Sequence, residues 1–273
     1  MPPETAMGYG EAVVLGGVQG VTEFLPISST AHLRIVPALL GWSDPGAAFS
    51  AVIQLGTTLA LIVYFRAEIA RLARGAAARQ PRELRLLLGI ALGTLPIVVG
   101  GLLFKDAIAG ELRTLDKIAA ALAGFGMLLA VADRFAARAR RGQDAIGVRD
   151  AVLVGLAQAC ALIPGASRSG TTMTGAFFLG IERGAAARFS FLLSLPAVSA
   201  AGFYELWKER AALGAAGLGP LIVATAVSGI VGYVCLDGLL RFLRTRSVLP
   251  FVVYRVALAA VLALLLARGM LTR

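Results

Sequence analysis

Apolar residues fill this chain in long, nearly uninterrupted blocks whose lengths predict membrane-spanning helices. Six blocks have the roughly 20 residues that a helix needs to cross a bilayer. They cover about 47–65, 84–104, 117–133, 185–207, 217–237 and 249–268. The blocks are continuous and rich in Leu, Ala and Val, and they do not alternate with a period of two, which argues against a membrane β-barrel. We therefore expect a single all-α polytopic membrane domain over residues 1–273.

Four shorter apolar blocks occur as two pairs, and each pair surrounds a polar segment. The blocks cover about 9–25, 31–41, 151–163 and 171–181. The first polar segment (residues 23–32) reads EFLPISSTAH, and the second polar segment (residues 164–172) reads PGASRSGTT. Each pair predicts a re-entrant helical hairpin. Irregular backbone at membrane depth must be buried in protein or line a wet cavity, so we expect the two polar segments to face each other.

Composition and charge support this fold class. Hydrophobic residues make up 58% of the chain and charged residues 15%, far from the average of soluble proteins. The net charge of +10 comes from basic residues in short loops beside apolar blocks. Such placement is typical of topology signals, so we expect membrane association and no nucleic-acid partner.

The loop charges also predict an orientation, because loops rich in Lys and Arg remain cytoplasmic. Residues 66–83 and 134–149 hold five arginines each, and residues 241–246 hold three. Residues 105–116 and 208–216 carry few basic residues and balancing acids. We therefore place the first three loops in the cytoplasm and the last two outside.

Two parts of the chain resemble each other, from about 8 to 133 and from about 150 to 268. The sequence GAAFS from Gly46 is echoed by GAAARFS from Gly184, and LPIVV from Leu95 by GPLIV from Gly219. The orientation above makes the block at 47–65 run inward and the block at 185–207 run outward. Similar halves of opposite orientation predict an inverted-topology repeat, whose broken helices meet near the midplane.

The first polar segment and the block before it contain three side chains that could take part in chemistry: Gln19, Glu23 and His32. His32 is the only histidine, which excludes multi-histidine zinc sites. It follows Ser29 and Thr30, either of which could cap the helix over 31–41, and the positive end of that helix favours a neutral imidazole able to act as base or nucleophile. A hydrogen-bonded core histidine is the alternative.

Gln19 and Glu23 lie four residues apart and share one face of a helix. A carboxylate inside a membrane segment costs roughly 2.5–3.5 kcal/mol on insertion scales, so it is rarely retained without a function or a partner. One interpretation is a ligand for a divalent cation or a base, with Gln19 as a neutral second ligand. The other is an ion pair with an arginine across the bundle.

The second polar segment has the residue types of an anion site. Arg168 lies between Ser167 and Ser169, Gly165 and Gly170 permit close backbone approach, and we expect a helix to open at Thr171 or Thr172. Glycines, hydroxyls, a helix N-terminus and a guanidinium suit phosphate. Tight packing of transmembrane helices is the alternative. With Glu23, His32 and Ser29, the set fits transfer of a phosphoryl group to water.

At these residues the chain resembles the undecaprenyl-diphosphatases, the bacterial membrane family linked to bacitracin resistance. The resemblance spans nearly the whole length and is specific over residues 19–32, over Val52-Ile-Gln-Leu-Gly56 and over residues 164–172. It implies hydrolysis of undecaprenyl diphosphate to the monophosphate, which recycles the lipid carrier of cell-wall synthesis. It also implies a divalent cation, Mg²⁺ or Ca²⁺, and a multi-pass protein of the bacterial inner (plasma) membrane whose site faces the outer side.

The resemblance implies roles residue by residue. The catalytic candidates are Glu23, Ser29, His32 and Arg168, and the metal candidates are Glu23 and Gln19. The substrate-binding candidates are Ser28, Thr30, Gln54, Ser167, Ser169, Gly170, Thr171 and Thr172. Many members carry Glu where this chain has Gln19, which makes Glu23 the indispensable carboxylate. Whether Ser29 or His32 is the nucleophile stays open, as does a homodimer.

A transporter or lipid flippase is the competing function, because inverted repeats with broken helices are the usual architecture for alternating access. A structural membrane protein is a further alternative, but it leaves Glu23, His32 and Arg168 unexplained. The chain has no G-x-x-x-x-G-K-[ST] motif, so we do not expect a nucleotide-driven pump.

Overall fold

The structure, a computed structural model, is a bundle of α-helices that describes residues 7–271, with the backbone alone described over 211–217. The ends of the predicted domain, residues 1–6 and 272–273, lie outside the described part. The helices are α1 (Tyr9–Phe24), α2 (Ser29–Leu40), α3 (Gly46–Tyr64), α4 (Arg66–Ala77), α5 (Pro81–Leu103), α6 (Lys105–Ala109), α7 (Leu115–Ala136), α8 (Val148–Ala159), α9 (Arg168–Phe178), α10 (Arg183–Lys208), α11 (Arg210–Phe242) and α12 (Leu249–Ala267). Over the described residues no β-strand forms, so the predicted all-α class is confirmed.

Six of these helices are long and apolar enough to cross a membrane: α3, α5, α7, α10, α12 and the part of α11 from Leu218 to Phe242. They coincide with the six long apolar blocks. Their lengths of 19 to 26 residues match the thickness of the hydrocarbon core. The prediction of about six membrane helices is therefore confirmed.

The arginine-rich residues 66–83 and the predicted outer loop at 208–216 are more helical than expected. Residues Arg66–Ala77 form α4, and α11 already begins at Arg210. Ala, Leu and Arg are strong helix formers, so these stretches continue as helix beyond the apolar blocks.

The four short blocks form α1, α2, α8 and α9, which have 16, 12, 12 and 11 residues. The last three are well below the length that crosses a bilayer. Irregular backbone at residues 25–28 separates α1 from α2, and residues 163–167 precede α9. The path of these pairs into and out of the membrane stays a prediction.

Helices from the two halves of the chain are interleaved. The early helix α1 packs on the late helix α11, and α8 of the second half packs on α5 of the first. The contacts of α3 with α11 and of α10 with α5 follow the same scheme. This pairing is what a two-fold relation between the halves requires, while their opposite insertion into the membrane stays a prediction.

Small residues permit the closest of these contacts. A Cβ atom at Gly16 would lie 2.4 Å from the carbonyl oxygen of Ala224, and one at Gly155 would lie 2.1 Å from that of Gly93. Small residues at helix interfaces let backbones approach inside a membrane, where van der Waals packing drives association. The α1–α11 and α8–α5 contacts thus fix the helices that lead into the two polar segments.

Contacts outside the spans tie the loops together. Asp44, between α2 and α3, binds Arg113 at 2.8 Å and Arg34 at 3.4 Å. Burial alone would raise the pKa of the Asp44 carboxyl, but hydrogen bonds and charge from Arg113 and the charge of Arg34 hold that pKa below its usual value. The connection at 41–45 is thereby held beside the segment at 105–116.

Candidate active site

The carboxylate of Glu23 lies where the two polar segments meet. Its Oε1 accepts a hydrogen bond from Nη2 of Arg168, which lies 145 residues away in the sequence. Its Oε2 accepts from Oγ of Ser29 at 2.6 Å and from Nε2 of Gln19 at 2.8 Å, and Nε2 of Gln54 approaches to 3.5 Å. Glu23 is 7% exposed. The convergence expected from the sequence is confirmed, and so is the ion pair across the bundle that was the alternative interpretation of Glu23.

Two helix N-termini point at this carboxylate. The contacting residues Ser29 and Arg168 are the first residues of α2 and α9. The N-cap of α2 is Ser28, whose Oγ accepts from the backbone amide of Ala31 at 3.4 Å. The N-cap of α9 is Ser167, whose Oγ accepts from the amide of Gly170 at 3.2 Å. Both helices therefore direct their positive ends to one place, which favours a negatively charged group there.

The predicted helix starts were wrong by a few residues. Ser28 caps α2 in place of Ser29 or Thr30, and α9 begins at Arg168 instead of Thr171 or Thr172. Ser28 and Ser167 have φ of 76° and 72°, a left-handed conformation that is rare outside glycine. Such strain persists only where the surroundings hold the residue in place and is frequent at functional sites. Sequence patterns favour ordinary caps and do not report this conformation.

Arg255 of α12 holds the backbones of both polar segments together. Its guanidinium donates to the carbonyl of Pro26 at 3.1 Å and to those of Gly165 and Ala166 at 3.0 Å. It also reaches the carbonyls of Ala121 and Leu122 in α7. The side chain is fully buried and, over the described residues, has no carboxylate partner. Its positive charge therefore remains uncompensated beside the site.

Arg255 and its neighbour Tyr254 are functional candidates that sequence reasoning missed. Nε2 of His32 lies 2.7 Å from the hydroxyl of Tyr254, and Nδ1 lies 2.7 Å from the carbonyl of Ser28. A carbonyl only accepts, so Nδ1 carries a proton. In the neutral imidazole Nε2 is then the acceptor, and the Tyr254 hydroxyl donates to it. The signal for Arg255 was present, because a charged residue in the middle of an apolar block is rarely retained without a role.

The other predicted residues lie around this centre, but several hydroxyls already have partners. Ser28 and Thr30 share a hydrogen bond at 3.1 Å, as Ser167 and Ser169 do at 3.2 Å. Thr171 and Thr172 lie inside α9 and donate to the carbonyl of Arg168. The hydroxyl of Thr172 also meets Ser190 of α10. The hydroxyls of these two threonines are therefore already engaged within α9 and with α10.

Gly170 is the member of this set whose lack of a side chain is required by geometry. A Cβ atom there would lie 2.9 Å from Nη1 of Arg255. That distance is shorter than real Cβ contacts, so a side chain at this position would displace the buried guanidinium. The absence of a side chain at Gly170 thus leaves room for the guanidinium of Arg255. The backbone amide of Gly170 donates to Oγ of Ser167.

A cleft opens from the Glu23–Arg168 pair between α3 and α10. The cleft is narrow, with a cavity volume of about 10 Å³, room for about one water molecule. The wall carries the hydroxyls of Thr57, Thr58, Ser169, Ser190 and Ser194, with Phe24, Leu61, Phe191, Leu195 and Val198 as apolar members. The cleft has a polar end at the ion pair and an apolar flank, and a ligand with a charged head and a hydrocarbon tail would have to widen it to enter.

The donor atoms fit a hard divalent cation only in part. Glu23 supplies a carboxylate, and Oε1 of Gln19 is fully buried without a hydrogen-bond partner in the described part of the chain. Mg²⁺ and Ca²⁺ prefer such oxygen ligands, and Mg²⁺ commonly uses one or two carboxylates together with substrate phosphates and water. Among the described residues no cluster of three His, Cys, Asp or Glu side chains exists. A cation here would therefore share its coordination with a ligand.

Comparisons with known proteins decide the family. The family described as Bacitracin resistance protein BacA matches residues 12–261. This chain belongs to that family. Similar proteins named undecaprenyl-diphosphatase occur in Chlorobium limicola (49% identical over 97% of this chain and 99% of the relative), Myxococcus xanthus (50%, 97% and 92%) and Gloeobacter violaceus (47%, 97% and 94%). The family match contains both polar segments and Arg255, so the whole site lies within it.

The first prediction concerns Arg255→Lys. Lysine has three donors and cannot satisfy five carbonyls, and each buried carbonyl left without a partner costs about 1–3 kcal/mol. We expect a free energy of unfolding lower by at least about 2 kcal/mol, measured by thermal unfolding of the purified protein in detergent. Arg268→Lys, at the exposed end of α12, is the matched control. Equal thermal midpoints of Arg255→Lys and the parent protein would contradict the role of Arg255 in holding the two polar segments together.

Proposed function

We propose that this protein is an undecaprenyl-diphosphatase. It hydrolyses undecaprenyl diphosphate to undecaprenyl phosphate and inorganic phosphate, recycles the lipid carrier of cell-wall synthesis and confers bacitracin resistance. The observation that carries the proposal is the meeting of Glu23, Ser29 and Arg168 at the starts of two helices. Relatives of almost identical length bear the name of this activity, and six apolar helices place the chain in a membrane.

The diphosphate head group is bound, in this proposal, between the N-termini of α2 and α9. Arg168 has five N–H donors, of which one reaches Glu23, so others remain for phosphate oxygens. Backbone amides in the first turns of both helices add donors, and the buried charge of Arg255 adds positive potential. Such preorganised donors stabilise the charge that develops on a transferring phosphoryl group.

Ser29 is our candidate for the nucleophile. Its hydroxyl already donates to the Glu23 carboxylate at 2.6 Å, the arrangement of a nucleophile with its base. Oγ attacks the terminal phosphorus, Glu23 takes the hydroxyl proton, and the bond from that phosphorus to the bridging oxygen breaks. Undecaprenyl phosphate leaves with the electron pair. Water then attacks the phosphoserine, the bond between phosphorus and Oγ breaks, inorganic phosphate is released, and the proton held by Glu23 returns to Oγ to restore the hydroxyl.

His32 is our candidate for the base in the second step. Its Nδ1–H is held by the carbonyl of Ser28, which leaves Nε2 as proton acceptor on the side of Tyr254. In this role the hydrolytic water replaces the Tyr254 hydroxyl as the hydrogen-bond donor to Nε2, and Nε2 then takes a proton from that water. Tyr254 thereby acts as a positioning residue for the imidazole.

We further propose that Glu23 and Gln19 hold a divalent cation, Mg²⁺ or Ca²⁺. The unpartnered Oε1 of Gln19 beside the Glu23 carboxylate supports this assignment. When bound, such a cation supplies charge neutralisation for the diphosphate oxygens. Because Gln19 is neutral, the protein contributes one negative charge to the ion, and the substrate contributes the rest.

We place the protein in the bacterial inner membrane with the site open to the outer side. Two arginine-rich segments meet each other, since Gln143 contacts Glu68 and Asp144 contacts Arg82. This contact supports a common side for residues 66–83 and 134–149, and positive loops remain cytoplasmic. The segment at 105–116, with few basic residues, instead contacts the connection after α2 through Arg113 and Asp44.

The second prediction tests hydrolysis itself. Purified Arg168→Ala, Glu23→Gln and His32→Ala variants should each lose phosphate release from undecaprenyl diphosphate by roughly a hundredfold or more, because each removes a group needed in the transition state. Their thermal midpoints should show that they remain folded. Arg149→Ala, an exposed arginine on α8, is the charge-matched control. Full activity of Arg168→Ala would refute the assignment, and absence of phosphate release by the parent protein would favour a transporter.

The third prediction concerns the covalent step. With substrate labelled at its terminal phosphate, rapid acid quenching should trap label on Ser29, and Ser29→Ala should lose both label and turnover. Ser194→Ala is the control, because Ser194 lines the same cleft while its hydroxyl is bonded to the carbonyl of Phe191. Unchanged turnover in Ser29→Ala, or label on another residue, would exclude Ser29 as the nucleophile.

The fourth prediction concerns the cation. Gln19→Glu adds a second carboxylate and should lower the Mg²⁺ concentration for half-maximal activity by roughly tenfold, whereas Gln19→Leu should raise it. Calorimetric titration of Mg²⁺ into the protein gives the same comparison without turnover. Equal Mg²⁺ affinities for the parent protein and for both variants would remove Gln19 from the proposed ligand set.

A further inference from the structure

We propose a second phosphate-binding site in a cavity lined by α3, α10 and the end of α11. The cavity has a volume of about 420 Å³. It is lined by Tyr64, Gly184, Arg188, Asp237, Leu240, Arg241 and Arg244. This volume is large enough for a phosphate group with attached organic atoms. The ligand class is a phosphate ester or inorganic phosphate.

The charge of the cavity favours an anion. Three arginines line it against one acid, Asp237, which is already engaged. Its Oδ1 accepts from the hydroxyl of Tyr64 at 3.1 Å and its Oδ2 from Arg241 at 2.8 Å. The guanidinium of Arg244 has no ion pair or side-chain hydrogen bond with any residue that the structure describes. The lining therefore carries an excess of positive charge and at least one available planar donor, which suits bidentate phosphate binding.

Arg188 is held in position on the cavity wall. It binds Glu68 of α4 at 2.7 Å, and its guanidinium lies 4.9 Å from the centre of the Phe65 ring. A cation fixed by an ion pair and an aromatic face loses little side-chain freedom when a ligand binds. Arg188 is thus preorganised to bind a ligand, in contrast to a surface arginine whose side chain moves freely.

The start of α10 adds backbone donors to the same cavity. This helix begins at Arg183 and runs for 26 residues, and Gly184 lies in its first turn. A Cβ atom at Gly184 would meet no atom within 4 Å, so the first turn faces open space. The first amides of a helix lack intrahelical partners and attract phosphate.

The cavity continues the catalytic cleft by about one helical turn. On α3, Tyr64 of the cavity lies three residues after Leu61 of the cleft, and on α10, Arg188 of the cavity lies three residues before Phe191 of the cleft. The cavity therefore adjoins the cleft along the same two helices, on the side of the arginine-rich residues 66–83. Binding there does not require hydrolysis, so its test is independent of the proposed activity.

The experiment uses the full chain in non-ionic detergent, in an Arg168→Ala background that removes the main phosphate ligand of the first site. Inorganic phosphate and short-chain dioctanoyl phosphatidic acid are titrated separately by calorimetry. Arg244→Gln should weaken binding by roughly tenfold, because a charge-assisted hydrogen bond is lost. Gly184→Leu, which fills the cavity from the other wall, should weaken it as well. Arg246→Gln, an arginine of the same loop outside the cavity, is the matched control.

The outcomes separate the sources of the phosphate. Loss of inorganic phosphate binding in Arg244→Gln and Gly184→Leu identifies a site for the free ion, and loss of phosphatidic acid binding alone identifies a lipid headgroup site. Loss of binding of both inorganic phosphate and phosphatidic acid shows that the site recognises the phosphate group itself. The proposal is overturned if neither probe binds the background protein, or if Arg246→Gln weakens binding as much as Arg244→Gln.

Discussion

The site depends on one electrostatic arrangement, a carboxylate held between the positive ends of two helices. Glu23 contacts Ser29, the first residue of α2, and Arg168, the first residue of α9. A buried carboxylate in a membrane helix is costly alone, and the two helix ends together with the guanidinium offset that cost. The same positive groups attract phosphate. In the proposed function, the donors that stabilise Glu23 are the same groups that would bind the phosphate head group.

This arrangement requires two irregular backbone segments to stay together at a depth where lipid offers no hydrogen bonds. Arg255 meets that requirement, since one guanidinium binds carbonyls of Pro26, Gly165 and Ala166 at once. A neutral side chain would satisfy fewer acceptors and contribute no charge. Because no carboxylate in the described chain neutralises Arg255, structural support and attraction for anions come from one residue.

The sequence predicted the parts of this structure that depend on periodicity and composition. The six membrane helices and the convergence of Glu23 with Arg168 followed from block lengths and from the cost of charge in lipid. The helix starts did not, because Ser28 and Ser167 adopt a left-handed conformation that patterns of residue type do not predict. Arg255 was visible as a charged residue inside an apolar block, but its role could not be predicted, because its partners are backbone carbonyls that the residue types do not indicate. The Tyr254 partner of His32 likewise depends on how α12 packs, which no local pattern specifies.

The interleaving of the two halves bears on the choice between hydrolase and transporter. Alternating access usually moves one repeat or bundle as a rigid body against the other. Here α1, which ends at the Glu23 side of the site, packs through Gly16 against Ala224 of α11, while α8 packs through Gly155 against Gly93 of α5. Each half is therefore held by a long helix of the other half, and separation of the halves would break both contacts and the Glu23–Arg168 pair together. A fixed constellation of this kind suits a chemical step, because catalysis depends on donors that are already in place when charge develops.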